Sequence, residues 1–324
     1  MRRVICSAFG DPLALEVIEE PTPEPPPGEV LVEVTAVGVS FVDGLVVRGS
    51  YQVRPPLPFT PGSCVVGRVA AAGEGVDHLG PGTAVAAVLT DFGGYASHVT
   101  APAGAVVPVP DGVAAEVAAG AMESYLTMAF ATTHRITVGR GDHVVVLGAG
   151  GGIGQAAIDV ASGLGACVVA VASTEDKRAA AKAVGAEVAL GYDDLKGEIR
   201  AATGGGADVV IDPVGGPASE SALRALATGG RFCVFGFASG EIPRLPANIV
   251  LLRNRTVVGV DWGDWSREVG GPQGNAALLA DVLERIGRGV YRPRQPSTAP
   301  MADAGRVLEL VGERQAIGKY VLRP

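Results

Sequence analysis

The stretch Val144–Ala161, VVVLGAGGGIGQAAIDVA, decides the fold. Val144 to Leu147 is a short apolar, β-branched run, the pattern of a strand buried on both faces of a parallel sheet. Beyond Gly154, Gln155–Leu164 reads as a helix with Ala156, Ala157, Val160 and Ala161 on its apolar face, and Gly165 is placed to end it. A second apolar run, Cys167–Val171, follows. Strand, glycine turn, helix and strand make a βαβ unit. The turn of such a unit offers backbone N–H groups and a helix N-terminus to an anion such as a pyrophosphate. The strict G-x-G-x-x-G spacing fails at the turn. Its G/A variant, at Gly152, Gly154 and Ala157, sits too far into the helix. The frame G-x-x-G-x-x-G at Gly148, Gly151 and Gly154 fits, with one glycine for the tight turn, one for close ligand approach and one for helix–strand packing. The alternative is a purely structural turn, and the flanking strand, helix and second strand weigh against it.

The alternation continues on both sides, from about Glu123 to Trp262. Strands are predicted at His143–Leu147, Cys167–Val171, Glu187–Leu190, Asp208–Ile211, Arg231–Phe235 and Thr256–Val260, with helices between most of them, including Glu175–Val184 and Ala218–Ala227. Six parallel strands with crossover helices describe a doubly wound α/β dinucleotide-binding domain. From Met1 to about Met122 the chain is rich in Val, Gly and Pro. There "GEVLVEVTAVGVS", "VVGRVAAAG", "TAVAAVL" and "YASHVTAP" read as short strands of an antiparallel β domain. "PTPEPPPGE" is an exposed extended loop within it. After Trp262 come helices around Ala276–Arg288 and Ala302–Val311, then a final strand in "GKYVLRP" that is placed to return to the N-terminal domain.

Composition bounds the function. A length of 324 residues suggests two domains, and 48% hydrophobic residues supply a sizeable core. A net charge of −8 offers nothing to nucleic-acid phosphates or an anionic membrane. The N-terminus lacks a signal-peptide pattern, and no apolar segment is long enough to span a bilayer. Cys6, Cys64, Cys167 and Cys233 are far apart and form no C-x-x-C motif or disulfide framework. A cytoplasmic protein is the simplest account.

The cofactor is read from the end of the second strand, "VVAVASTEDKR". A carboxylate there bonds the ribose diol of NAD. Here Ala172–Ser173 ends the strand, and Glu175 falls in the first helical turn, where an acid suits the macrodipole. Ser173 and Lys177 are placed to hold a 2′-phosphate instead, with Arg178 adjacent and Tyr192 after the third strand. The alternative is that Ser173 is an N-cap and Lys177 and Arg178 are solvated. The missing acid favours NADPH.

These features together resemble the zinc-independent quinone oxidoreductases, related to zeta-crystallin, within the medium-chain dehydrogenase/reductase superfamily. The resemblance runs through "GVSFVDGLVVRGSY", "PPLPFTPG", "GEGV", "GGYA", "VVVLGAGGGIG", "DVVIDPVGG", "GGRFCVFGFASG", "LLRNRTVVGV" and "GKYVLRP". It implies a GroES-like β domain built from residues 1–122 and 263–324, a Rossmann domain at 123–262, and NADPH in the cleft between them. By motif position it assigns the phosphate turn to Gly148, Gly151, Gly152, Ile153 and Gly154, and the 2′-phosphate contacts to Ser173, Lys177 and Tyr192. Val214 follows the fourth strand. Gly236 and Phe237 follow the fifth and border the nicotinamide ribose. In "SYLTMAF", Thr127 matches the family's threonine near the nicotinamide, while Leu126 replaces a glycine.

Zinc enzymes of the superfamily carry Cys and His where this chain has Ser40 and Ser63, and a neutral serine hydroxyl is a poor zinc ligand. The four-cysteine lobe is missing as well, so no metal is expected. The quinone reductases have Asn and Glu where this chain has Ser40 and Cys64, which leaves the substrate open. It is a quinone, or alternatively an enone or enoyl thioester. A reading from another class, an NADPH-binding structural or RNA-binding protein with little catalysis, is disfavoured by the acidic charge and the lack of a basic, aromatic-lined patch. Hydride delivery from NADPH builds negative charge on the substrate oxygen, and the protein positions the reactants and stabilises that charge. Tyr51 is the expected donor to it, ahead of Ser40 and Asp43. The structural alternatives are a rim aromatic for Tyr51 and a carboxylate holding turn amides for Asp43. Trp262 and Trp265 either wall the substrate site or serve packing. The β-branched strand in "RNRTVVGVDWG" lies at a sheet edge, and in the resembling family such edges pair into a homodimer.

Overall fold

In a computed structural model describing residues 1–324, the glycine turn joins a strand to a helix as its spacing predicts. The helix begins at Gly152, three residues earlier than the apolar pattern indicates, with Gly151 in extended conformation as its cap. The first-turn glycines carry no side chains, so periodicity could not register them. Gly165, at φ +84°, lies just past the end.

The chain divides into two units. One comprises Met1–Glu123, Trp265–Gly289 and Arg294–Pro324, and the other Ser124–Asp264 and Val290–Pro293. In chain order the elements are β1 (Arg2–Ile5), β2 (Glu16–Glu19), β3 (Glu29–Gly38), α1 (Phe41–Val47), β4 (Cys64–Ala72), β5 (Ala84–Val88), β6 (His98–Pro102), β7 (Val106–Pro108) and α2 (Ala115–Phe130). Then come β8 (His143–Val146), α3 (Gly152–Gly163), β9 (Cys167–Val171), α4 (Glu175–Ala183), β10 (Val188–Leu190), α5 (Leu195–Ala202), β11 (Ala207–Asp212), α6 (Pro217–Ala225), β12 (Leu226–Val234), α7 (Ala247–Leu251), β13 (Thr256–Gly259) and α8 (Trp262–Trp265). The chain closes with α9 (Gly271–Gly287), β14 (Ser297–Pro300), α10 (Ala304–Gly312) and β15 (Tyr320–Arg323).

The second unit is a parallel six-stranded sheet in the order β10-β9-β8-β11-β12-β13. This is a doubly wound arrangement, and the glycine turn leaves the C-terminal end of a central strand, where such sheets bind ligands. Val145, Leu147, Val169, Val171, Val210 and Phe232 fill the core on one face. The predicted helix Ala218–Ala227 stops at Ala225, because Leu226 already pairs with Ala207 as β12 begins.

The first unit is built on a seven-stranded sheet, β14-β15-β3-β4-β5-β7, with β6 also on β3. Its pairings are antiparallel except β14 with β15. β15 returns beside β3, as the closing strand was expected to do. The N-terminal region is not wholly β. "FVDGLVV" forms α1, and α2 starts at Ala115. A seven-residue helix containing Gly and three valines gives no helical period, and a capping box rather than an apolar stripe starts it.

Candidate functional site

Each glycine of the turn has a distinct geometry. Gly148 is at φ +61°, and a Cβ there would lie 2.7 Å from Val214 Cγ2. The Gly151 N–H donates to the Gly148 carbonyl at 3.0 Å, and a Cβ on Gly151 would meet only that oxygen, at 3.5 Å. Gly151 is exposed, and Gly152 and Ile153 are half-buried in the first turn of α3. A Cβ on Gly154 would fall 2.4 Å from the Gly148 carbonyl oxygen, so α3 seats backbone to backbone on the turn. The open face beside Gly151 and the N-terminus of α3, which has no side-chain cap, leave backbone N–H groups free to meet an anion.

Two of the expected 2′-phosphate residues converge on this turn. Lys177 lays its stem across Gly150, its Cγ 2.6 Å from where a Cβ would stand. The Tyr192 hydroxyl accepts the Gly148 N–H at 3.1 Å. Ser173 is exposed at the end of β9 and is not the cap of α4. Thr174 is, its Oγ1 accepting from the Lys177 N–H at 3.3 Å. Arg178 is engaged elsewhere, with Glu175 at 2.8 Å and the Ala172 carbonyl at 3.1 Å. Asp212, which the sequence reading missed, shapes the turn carrying Val214. One of its oxygens accepts the Val214 and Gly215 N–H groups at 2.8 and 2.9 Å, and the other accepts the Ser219 hydroxyl. An acid closing the apolar run "DVVID" ahead of two glycines was the available signal. Gly236 follows β12, and Phe237, exposed, lies near Gly215. Thr127 is half-buried on α2 and Leu126 fully buried. Asp159 was also missed. It is buried in α3 and accepts the Tyr125 hydroxyl at 2.8 Å and the Arg292 N–H at 2.6 Å.

In the first unit Ser40 and Asp43 meet at the start of α1. The Asp43 N–H donates to Ser40 Oγ at 3.1 Å, and the Ser40 N–H donates to Asp43 Oδ2 at 2.8 Å. Tyr95, absent from the expected site residues, donates its hydroxyl to the same Oδ2 at 3.0 Å. Asp43 Oδ1 is buried with no partner. Burial pushes the Asp43 carboxyl up to about 6, against the lowering effect of the Ser40 N–H and Tyr95 hydroxyl. Cys64 lies at the start of β4, its thiol pushed up to about 12 by burial, with Ser63 Oγ at 3.8 Å. Tyr51 sits in a bend after Gly49, half-buried against the core of this unit. The Trp265 ring packs over Gly270 and Gly274.

Comparison with known proteins places both units. Residues 26–111 match the alcohol dehydrogenase GroES-like domain family, and residues 152–271 the zinc-binding dehydrogenase family. Quinone oxidoreductase-like protein 2 of Bos taurus is 36% identical over 99% of this chain and 92% of its own length. The chain is a zinc-independent quinone oxidoreductase-type member of the medium-chain dehydrogenase/reductases, and an oxidoreductase. Among solved structures, the Escherichia coli quinone oxidoreductase complexed with NADPH superposes with a TM-score of 0.90 at 26% identity over the whole of both chains. A mycobacterial protein complexed with NADPH gives a TM-score of 0.89 at 31% identity, again over both chains. Zinc does not fit this member of the family. Ser40 and Ser63 are hydroxyls, the Cys64 thiol holds its proton, and no three His, Cys, Asp or Glu side chains are grouped to hold an ion. No helix is long and apolar enough to cross a membrane.

Proposed function

We propose that the chain is an NADPH-dependent, metal-independent reductase of quinones that works as a homodimer. The observation that carries this reading is the convergence of Lys177 and Tyr192 on the Gly148–Gly151 turn, beside a β9 end without a carboxylate. Gly148, Gly151, Gly152, Ile153 and Gly154 hold the pyrophosphate, and Ser173, Lys177 and Tyr192 the 2′-phosphate. Thr127, Val214, Gly236 and Phe237 border the nicotinamide end. Bound NADPH supplies the hydride. Tyr51 donates a hydrogen bond to the oxygen on which negative charge grows, and Ser40, fixed by Asp43, offers a second hydroxyl. Enones and enoyl thioesters present the same developing oxyanion and are the competing substrates.

Titration of NADPH and NADH into the wild type and Lys177→Ala tests the cofactor half. The wild type should prefer NADPH, and the variant should lose about 1.5–3 kcal/mol of that preference, the worth of a charge-assisted hydrogen bond. Equal wild-type affinity for both cofactors would refute it. NADPH oxidation screened against quinones, enones and enoyl thioesters, with and without a chelator, tests the rest. A quinone should turn over fastest, and the chelator should change nothing.

A further inference from the structure

The register of the first unit's sheet brings a second charged pair to the Ser40 corner. β15 runs antiparallel to β3 with Val321 opposite Gly38 and Leu322 opposite Val37. The Val39 N–H donates to the Tyr320 carbonyl at 3.0 Å. Continued one step, that register sets Lys319 across from Ser40. On the other side of β3, Cys64 stands opposite Gly38. Helix α2 closes on the same strand end, where a Cβ on Gly38 would fall 2.1 Å from the Ala119 carbonyl oxygen. Only glycine allows that approach. One turn further along α2, Glu123 accepts from Lys319 Nζ at 2.9 Å, with the two side chains 21% and 16% exposed. The groups that face Asp43 are therefore Tyr95, Cys64 on β4, Glu123 on α2 and Lys319 ahead of β15. Lys319 is the one cation among them. Its attraction favours the ionised forms of Asp43 and Cys64, and Glu123 opposes it at both.

We propose that Lys319, held by Glu123, is a positioning residue that supplies the fixed positive charge of the Ser40–Asp43 corner. It sets the protonation of Asp43 and offsets the negative charge that grows on the substrate oxygen. The role in turnover rests on the reductase reading, while the effect on Asp43 does not. Asp43 Oδ2 already accepts two donors and Oδ1 none, so a proton taken up by this carboxyl goes to Oδ1. With the ammonium removed, the repulsion of Glu123 on Asp43 is no longer offset, and Asp43 holds that proton to higher pH. Asp43 is buried and the Lys319 and Glu123 side chains are mostly so, which weakens screening, and the loss of the charge is felt at the carboxyl.

The test follows the Asp43 carboxyl carbon by ¹³C NMR against pH in the cofactor-free protein, assigned by the signal lost in Asp43→Asn. Lys319→Met should move the Asp43 midpoint up by about one pH unit, and Lys319→Arg should restore it. Glu123→Gln should move it down, a change of opposite sign that still decides the matter if Lys319→Met does not fold. With NADPH and 1,4-benzoquinone, kcat should fall roughly tenfold in Lys319→Met and recover in Lys319→Arg, a modest loss for a charge acting without direct contact. An Asp43 midpoint unmoved in folded Lys319→Met, or unmoved in Glu123→Gln, overturns the proposal. A wild type that reduces no quinone counts against the reductase reading alone.

Discussion

Tyr51 and Asp43 make separable demands on chemistry and stability. Tyr51 lies on a bend with its ring against the core, so its hydroxyl can be removed without opening a cavity. Tyr51→Phe should lower kcat and kcat/KM together, by up to about 10²-fold, as expected for a donor that acts mainly in the transition state. NADPH affinity and Tm should hold. Full activity in this variant would reduce Tyr51 to a rim aromatic. Asp43 answers to pH instead. Its carboxyl titrates near 3.8 when exposed and at about 6 in the fold. Between those values the native state binds more protons than the unfolded chain, so Asp43 lowers stability as pH rises through the window. The cost is fully present above it, on the order of 3 kcal/mol. Thermal unfolding from pH 4 to 7 should show the difference between the wild type and Asp43→Asn drifting against the wild type as pH rises. A constant difference would mean that the carboxyl titrates normally.

At the scale of elements, the proposed cofactor turn from β8 to α3 should separate folding from binding at two glycines three residues apart. Gly154→Ala places a methyl 2.4 Å from a backbone oxygen and must lift α3 off the turn, so Tm should drop by several degrees. Gly151→Ala meets only ordinary contact at an allowed φ of −86°, so it should fold normally and lose NADPH affinity because the methyl fills the open face. Equal effects at both positions, by thermal melts and cofactor titration, would refute this division of roles. The same turn was legible in the sequence because a buried parallel strand and an amphipathic helix have different periods, and glycines mark the junction. α1 was not legible, being short and valine-rich, with a start fixed by the Ser40–Asp43 cap. Nor was Tyr95, 52 residues from the Asp43 it binds, or the approach of Lys319 to Ser40. The first is a contact between a loop and a helix far apart in the chain, and the second depends on strand register; one chain read alone reveals neither.

At the scale of the whole molecule, the parallel sheet ends at β13, whose second neighbour is missing. Its residues are mostly exposed, Val257 among them, and Leu251 and Leu252 stand exposed just before it. An unpaired β-branched edge of this kind templates association unless something covers it. A second copy paired strand to strand would do so, and light scattering at micromolar concentration should report a dimer. Val257→Lys, a charge on that edge, should shift the population to monomer with little change in the Tm of the monomer. A wild type that is monomeric under these conditions would leave the edge to some other device.

The pairing of β15 with β3 also has a consequence for biosynthesis. β3 leaves the ribosome as residues 29–38, yet its partner at Val37 and Gly38 is residues 321–322. At a translation rate of about 5–20 residues per second, the two are separated by roughly a quarter of a minute to a minute. The parallel sheet, β8 to β13, is complete in the nascent chain long before then. The β15-facing backbone groups at the end of β3 meanwhile stay open while its other side pairs with β4, and Ser40 waits without Lys319 opposite. The corner around Asp43 therefore assembles only once residues 319–322 have been made, after every strand of the parallel sheet, and a chain cut short before them carries β8–β13 with this corner unfinished.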